Sequence, residues 1–138
     1  MQRGTESAVD VSDPTRPRVI FCVPEPEGGF CERGLRFGPH NLHENRPGNY
    51  RSEQLVLLTY FNAGARVYDL ADAEHLVEVA HWLPDWLPET PRVKRRRRGA
   101  ISTSRSQVWV TDRIGGEMYS LEPEPAPAEL MQAAGLSD

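Results

Sequence analysis

Residues 54–70 read QLVLLTYFNAGARVYDL, and this stretch decides the fold class. Leu55-Val56-Leu57-Leu58-Thr59-Tyr60-Phe61 is a short apolar run of β-favouring residues. Asn62-Ala63-Gly64 is a turn signal, and Arg66-Val67-Tyr68-Asp69-Leu70 resumes with β-branched and aromatic side chains. Two such runs around a Gly-containing turn predict an antiparallel hairpin.

Working outward, the pattern recurs. Gln107-Val108-Trp109-Val110-Thr111-Asp112 leads through Arg113-Ile114-Gly115-Gly116 into Glu117-Met118-Tyr119-Ser120-Leu121. At an offset of 52 positions, Val56 falls on Val108, Thr59 on Thr111 and Gly64 on Gly116. A matching Gly is what a turn with positive φ requires. A second repeat runs at an offset of 59, where Val9-Asp10-Val11-Ser12-Asp13-Pro14 matches Tyr68-Asp69-Leu70-Ala71-Asp72-Ala73. Each is followed by a polar turn and a Pro-ended apolar run, residues 19–24 in one case and 77–84 in the other. A Pro-ended run suits an edge strand, where a lost amide donor is tolerated.

The repeating unit is therefore strand, Gly turn, strand, Asp turn, strand. Short strands repeated at this period predict propeller blades or a related stacked sheet. The fold expected is all-β, a partial β-propeller of about two blades of antiparallel strands with a short C-terminal helix, too short to close a ring. Residues 1–8 are expected to be flexible, 9–124 to form the repeats, and 125–138 to form the helix and tail. The helix is expected to open at Pro127 and stop near Gly135, following the usual preference for Pro at the start and Gly at the end. Asp10, Asp13, Asp69 and Asp72 read as turn formers that accept bonds from nearby backbone amides. Their spacing lacks the Gly and terminal Glu of a calcium loop.

Bulk composition agrees. A chain of 138 residues has room for one domain with a real core, and its 12 Pro and 11 Gly favour turn-rich β structure over a helical bundle. The net charge of −4 argues against a nucleic-acid binder by overall charge. No apolar run approaches the roughly 20 residues of a membrane-spanning helix, and MQRGTESAVD has no apolar core of a secretory signal. The cytoplasm is the default compartment on that reading. Cys22 and Cys31, without a CxxC pattern, read as free thiols, with a disulfide or a metal site as the alternatives.

Three segments depart from the repeat, one of them the tail that runs through Glu122-Pro123-Glu124-Pro125 into the helix. Residues 25–49 form a long Gly- and Pro-rich insertion, and residues 85–99 carry several prolines and the basic run Lys94-Arg95-Arg96-Arg97-Arg98. That run lacks aromatic interleaving in an otherwise acidic chain, so a solvated loop is favoured over a nucleic-acid or membrane contact.

The stretches DVSDPTRPRVIFCVPEP, GPHNLHENRPG, TYFNAGARVYDLADAEHLVEVAHWLP and VTDRIGGEMYSLEP resemble the C-terminal part of bacterial LVIVD-repeat β-propeller proteins. The resemblance covers most of residues 9–124, and TYFNAGARVYDL and VTDRIGGEMYSLEP are its most specific elements. It implies a propeller fold without a defined chemistry. Such proteins carry more blades in one chain, and an open fragment exposes strand edges that recruit another chain, so the expectation is a ring of several copies, a partner chain that supplies the missing blades, or an incomplete product. Residues 91–106, PRVKRRRRGAISTSRS, are basic and Ser-rich where the resemblance calls for a strand. They read either as a divergent loop or as the product of an altered reading frame.

For chemistry, the best candidates lie in Gly38-Pro39-His40-Asn41-Leu42-His43-Glu44-Asn45. His40 and His43 offer two imidazoles that suit a divalent transition metal, and Glu44 adds a carboxylate able to act as acid or base. In a propeller this segment can point into the central channel. The competing reading has His40 bonding the backbone, with His43 and Glu44 in a solvated loop. Arg33, Arg36 and Arg46, with Arg51, could grip an anionic ligand, or simply pair with Glu32 and Glu44. His81 reads as a half-buried strand residue, His75 as an exposed turn residue, and Trp82 and Trp86 as packing groups. No nucleophile elbow, P-loop or dinucleotide fingerprint appears. The function expected is a non-catalytic binding or scaffold module, with a metal-dependent enzyme or enzyme subunit as the alternative.

Overall fold

The apolar stretch at 55–59 and its partner at 65–69 form the two central strands of the molecule. The computed structural model describes residues 6–30, 37–72, 75–83, 101–103, 107–112 and 116–136, the backbone only at 101–103 and Asp112. Among these, the strands in chain order are β1 (Ser7–Asp10), β2 (Arg18–Cys22), β3 (Asn41–Leu42), β4 (Leu55–Thr59), β5 (Ala65–Asp69), β6 (Val77–Trp82), β7 (Ile101–Thr103), β8 (Val108–Asp112) and β9 (Glu117–Leu121). One helix, α1 (Pro125–Ala134), follows. They make three antiparallel sheets ordered β1-β2, β3-β4-β5-β6 and β7-β8-β9. The protein is mostly β, and the described residues do not close into a barrel or a propeller.

The near-continuous apolar run of β4 is buried on both faces, as such runs are when a sheet is covered on two sides. Leu55, Leu57 and Ala65 face a cluster with Val108, Val110, Tyr50 and Met131, which joins the four-stranded sheet to β8 and α1. Leu58 and Tyr68 face the other way, onto Phe30, Phe37, Tyr60 and Ala63. Strand parity does this sorting, since successive side chains leave opposite faces.

The repeat at an offset of 59 holds in three dimensions. Asp10 pairs with Arg18, Val9 with Val19 and Ala8 with Phe21. Asp69 pairs with Val77, Tyr68 with Glu78 and Val67 with Ala80, the same positions 59 residues on. Both pairs carry an irregularity at the same place, between Ala8 and Val9 in one and between Val67 and Tyr68 in the other. The turns match too. Ser12 N donates to Asp10 Oδ1 as Ala71 N donates to Asp69 Oδ1, at 2.9 and 2.8 Å. Arg16 N donates to the Asp13 carbonyl as His75 N does to that of Asp72, at 2.9 and 3.1 Å.

The repeat at an offset of 52 needs an adjustment. Residues 60–64 separate β4 from β5, but only residues 113–116 separate β8 from β9. Gly116 keeps the place of Gly64, with φ of 70° and 80° respectively. On the first strand, however, Val108 takes the place of Leu55 and Val110 that of Leu57, one step from the ungapped alignment. Burial decides this, because a one-residue slip would turn the apolar set of β8 outward.

Three further expectations are corrected. Residues 25–49 are not wholly outside the repeat: Asn41–Leu42 pairs with β4, and Phe30 and Phe37 sit in the core. A two-residue strand is too short to leave a periodic signal. A strand does precede β8, at Ile101–Thr103, within the segment that reads as aberrant. The helix opens at Pro125 rather than Pro127, because first-turn amides have no helical partner and two prolines fit there. It stops at Gly135, but Gly135 has φ −73° and so needs no left-handed freedom. A Cβ there would lie 3.0 Å from the Met131 carbonyl and 3.2 Å from the Tyr50 ring, so close approach is the reason for glycine.

Candidate functional site

The His40–Glu44 segment comes first. His40 N donates to the Thr59 carbonyl and His43 N to that of Leu57, both at 2.8 Å, which ties the segment along β4. On extended backbone, residues three apart leave opposite sides, so the HxxH spacing that aligns two ligands on a helix separates them here. The His40 ring sits edge-on to Phe61 with centroids 4.6 Å apart. His43 Nε2 instead donates to the Tyr50 carbonyl at 2.7 Å. Glu44 is exposed and pairs with Arg46, whose Nε lies 2.6 Å from its Oε2. The structure thus sends His40 and His43 to different neighbours and joins Glu44 to Arg46. Among the described residues, no group of three or more His, Cys, Asp or Glu side chains could hold a metal ion.

Arg33, Arg36, Cys31, Trp86 and the basic run 94–98 lie outside the described residues. Cys22 is an exposed free thiol. His75 is exposed as expected and meets Asp72. His81 is exposed rather than half-buried, its side chain 53% accessible. No described helix is long and apolar enough to cross a membrane.

The polar cluster that sequence reading missed centres on Arg66. This side chain is buried, 2% accessible. Its Nε donates to the Ala63 carbonyl at 2.9 Å, its Nη1 meets Glu78 Oε1 at 2.7 Å, and its guanidinium lies 5.1 Å from the Phe30 ring centroid. Its Nη2 has no partner among the described residues. His81 Nδ1 reaches the same Glu78 oxygen at 2.9 Å. The irregular register of β5 and β6 builds this cluster: Val79 is the extra residue, so Glu78 and His81 emerge on one face opposite Tyr68 and Arg66. Without the bulge, residues 78 and 81 would point apart.

Burial also moves the phenols beside Arg66. Tyr60 is pushed up to about 12 from its ordinary 10.0, mainly by desolvation. Tyr68 is driven higher still by the same cause. Both hydroxyls turn to the Pro24 carbonyl, at 3.2 and 3.5 Å, and so tie the segment after β2 to the core. This neutral, hydrogen-bonded setting suits structural phenols and not general bases. Asp10 and Asp13 are held below the ordinary carboxylate value by bonds from Ser12 and Thr15 respectively.

A cavity of about 610 Å³ lies between the four-stranded sheet, β8–β9 and α1, walled by Leu55, Val67, Trp82, Val108, Leu121 and Met131. Its size is that of a small-molecule site, but its polar lining offers only scattered groups such as Ser120, Glu122 and His81. Trp82 spans the gap and packs against Tyr119 with centroids 4.7 Å apart.

The remaining feature is the sheet edges. The two-stranded sheet β1-β2 leaves Val9, Val19 and Ile20 exposed, and Met118 of β9 is 64% accessible. The chain matches no protein-family model, no curated protein and no solved structure.

Proposed function

We propose that this chain is a propeller-type binding or scaffold module of the LVIVD-repeat kind, and that it works by assembling with further copies or a partner chain into a ring. The observation that carries this reading is the residue-for-residue match of β1–β2 to β5–β6, bulge and turn bonds included. By that match the chain holds the outer half of one blade, a four-stranded blade, and three strands of the next. Repeats of this kind bury their apolar faces only against neighbours. The exposed valines of β1–β2 are then interface residues, not surface accidents.

Light scattering on the purified chain tests this, with metal analysis on the same peak. A discrete oligomer, or a discrete complex with one co-purifying chain, is expected. A lone, well-folded monomer would sink the reading. Stoichiometric metal lost on His40→Ala would replace it with the metal-dependent alternative, in which His40 and His43 are ligands and Glu44 the acid–base group.

A further inference from the structure

We propose that the cavity between the four-stranded sheet, β8–β9 and α1 is a binding site for a small apolar molecule that carries an amine. The inference goes beyond the assembly reading above, because the residues that line this cavity all belong to one chain.

The apolar part of the site follows from how the core is built. Leu55, Ala65, Val108 and Met131 are buried core side chains, and all four line the cavity. Val67, Val79, Trp82, Leu121 and Leu130 pack against the same core yet stay only partly buried, and they line it too. Protein interiors ordinarily close until few spaces larger than a water molecule are left. This one measures about 610 Å³, the size of a small-molecule site. Fixed elements hold its shape. The C-terminal end of α1 is tied to the backbone before β4 by Ser52 Oγ, which donates to the Ala134 carbonyl at 2.8 Å, and by Tyr50, whose hydroxyl donates to that of Met131 at 2.9 Å. At the other end Pro123, Pro125 and Pro127 stiffen the entry to the helix. A helix held at both ends does not settle further onto the sheet.

The polar lining selects the charge of the ligand. Its members are His81, Ser120, Glu122 and Glu124, and the last three come from the single stretch that leads from β9 into α1. His81 Nδ1 is engaged by Glu78 at 2.9 Å. What remains for a ligand is one hydroxyl and two carboxylates, a set that attracts a cation and repels an anion. The indole of Trp82 in the wall acts in the same direction, since aromatic faces also favour cations. The apolar walls take the body of the molecule and the acidic stretch takes its amine.

Calorimetric titration of the purified full chain with octylamine, octanol and octanoate tests this, because the three share an apolar body and differ in the head group. Octylamine is expected to bind at one site per chain, octanol more weakly, and octanoate about tenfold more weakly than octylamine, the swing from attraction to repulsion. Glu122 and Glu124 are exposed, so a chain carrying Glu122→Gln and Glu124→Gln keeps its fold. In that chain octylamine should bind about fivefold more weakly while octanol is unchanged. Leu130→Trp fills the cavity and should abolish binding of all three with unaltered far-ultraviolet circular dichroism. If Leu130→Trp fails to fold, the carboxylate variant decides alone. The proposal is overturned if none of the three binds, if octanoate binds as tightly as octylamine, or if octylamine affinity survives the carboxylate variant or a folded Leu130→Trp chain. None of these results alters the solution mass, so the assembly reading is judged separately.

Discussion

At the scale of single residues, Gly64 shows how one position can be constrained twice. It adopts φ 80°, and a Cβ built there would lie 2.0 Å from the Trp82 carbonyl oxygen. Its repeat partner Gly116 adopts φ 70° with nothing within 4 Å among the described residues. Gly64→Ala is expected to cost at least about 3 kcal/mol, since backbone strain and a backbone clash combine. Gly116→Ala should cost only the left-handed penalty of about 1–2 kcal/mol. Urea midpoints of the two variants check the difference, and equal losses would contradict it. Tyr60 makes a second residue-scale prediction. Its folded-state value, about 12, lies above the ordinary 10.0. The stability it contributes is fully present below pH 10, because both states then hold the proton. It is lost as pH rises through the window from 10 to about 12, where the unfolded chain ionises first. Urea unfolding across that window should show falling stability, with a shallower slope in Tyr60→Phe.

At the scale of elements, the helix is held less by its own propensity than by one serine. Ser52 Oγ donates to the Ala134 carbonyl at 2.8 Å and accepts from the amides of Gln54 and Leu55 at 3.0 and 2.9 Å. Tyr50 adds a bond to the Met131 carbonyl at 2.9 Å, and Leu136 N donates to Arg51. The C-terminal end of α1 is thus joined to the backbone leading into β4. Ser52→Ala leaves buried groups unsatisfied and should cost about 2 kcal/mol. Amide exchange should quicken in α1 more than in β5, and uniform quickening would count against this account. The bulge in β6 has a comparable reach. One extra residue, Val79, puts Glu78 and His81 together on the face that holds Arg66. The matching bulge in β2 brings Ser7 Oγ to 3.4 Å from Cys22 Sγ at the equivalent positions. The same backbone device therefore carries the Arg66–Glu78–His81 cluster in one copy of the repeat and a Ser–Cys pair in the other.

At the scale of the whole molecule, the uneven distribution of burial is the main finding. β4 and β5 are enclosed on both faces, while β1 and β2, built on the same pairing, are largely exposed. A repeat architecture explains such contrast, because each unit is stable only through its neighbours. Solution mass reads the consequence directly.

The sequence by itself determined the central hairpin, the repeat at an offset of 59, the glycine match of the repeat at 52, the Asp turns and the helical tail. Those features rest on local physics: apolar runs, glycines where φ is positive, and carboxylates that accept nearby amides. The choice of Leu55 over Val56 as the equivalent of Val108 needed tertiary structure, because a loop shorter by one residue is invisible until burial shows which face is covered. Strand β3 needed it as well, since two residues bonded by their backbone carry no pattern. So did the Arg66–Glu78–His81 cluster, assembled by a bulge from side chains twelve and fifteen positions apart. His40 and His43 show the converse. Their spacing invites a shared ligand, but an extended backbone turns them to opposite sides, and only the fold determines which backbone a spacing is wound on.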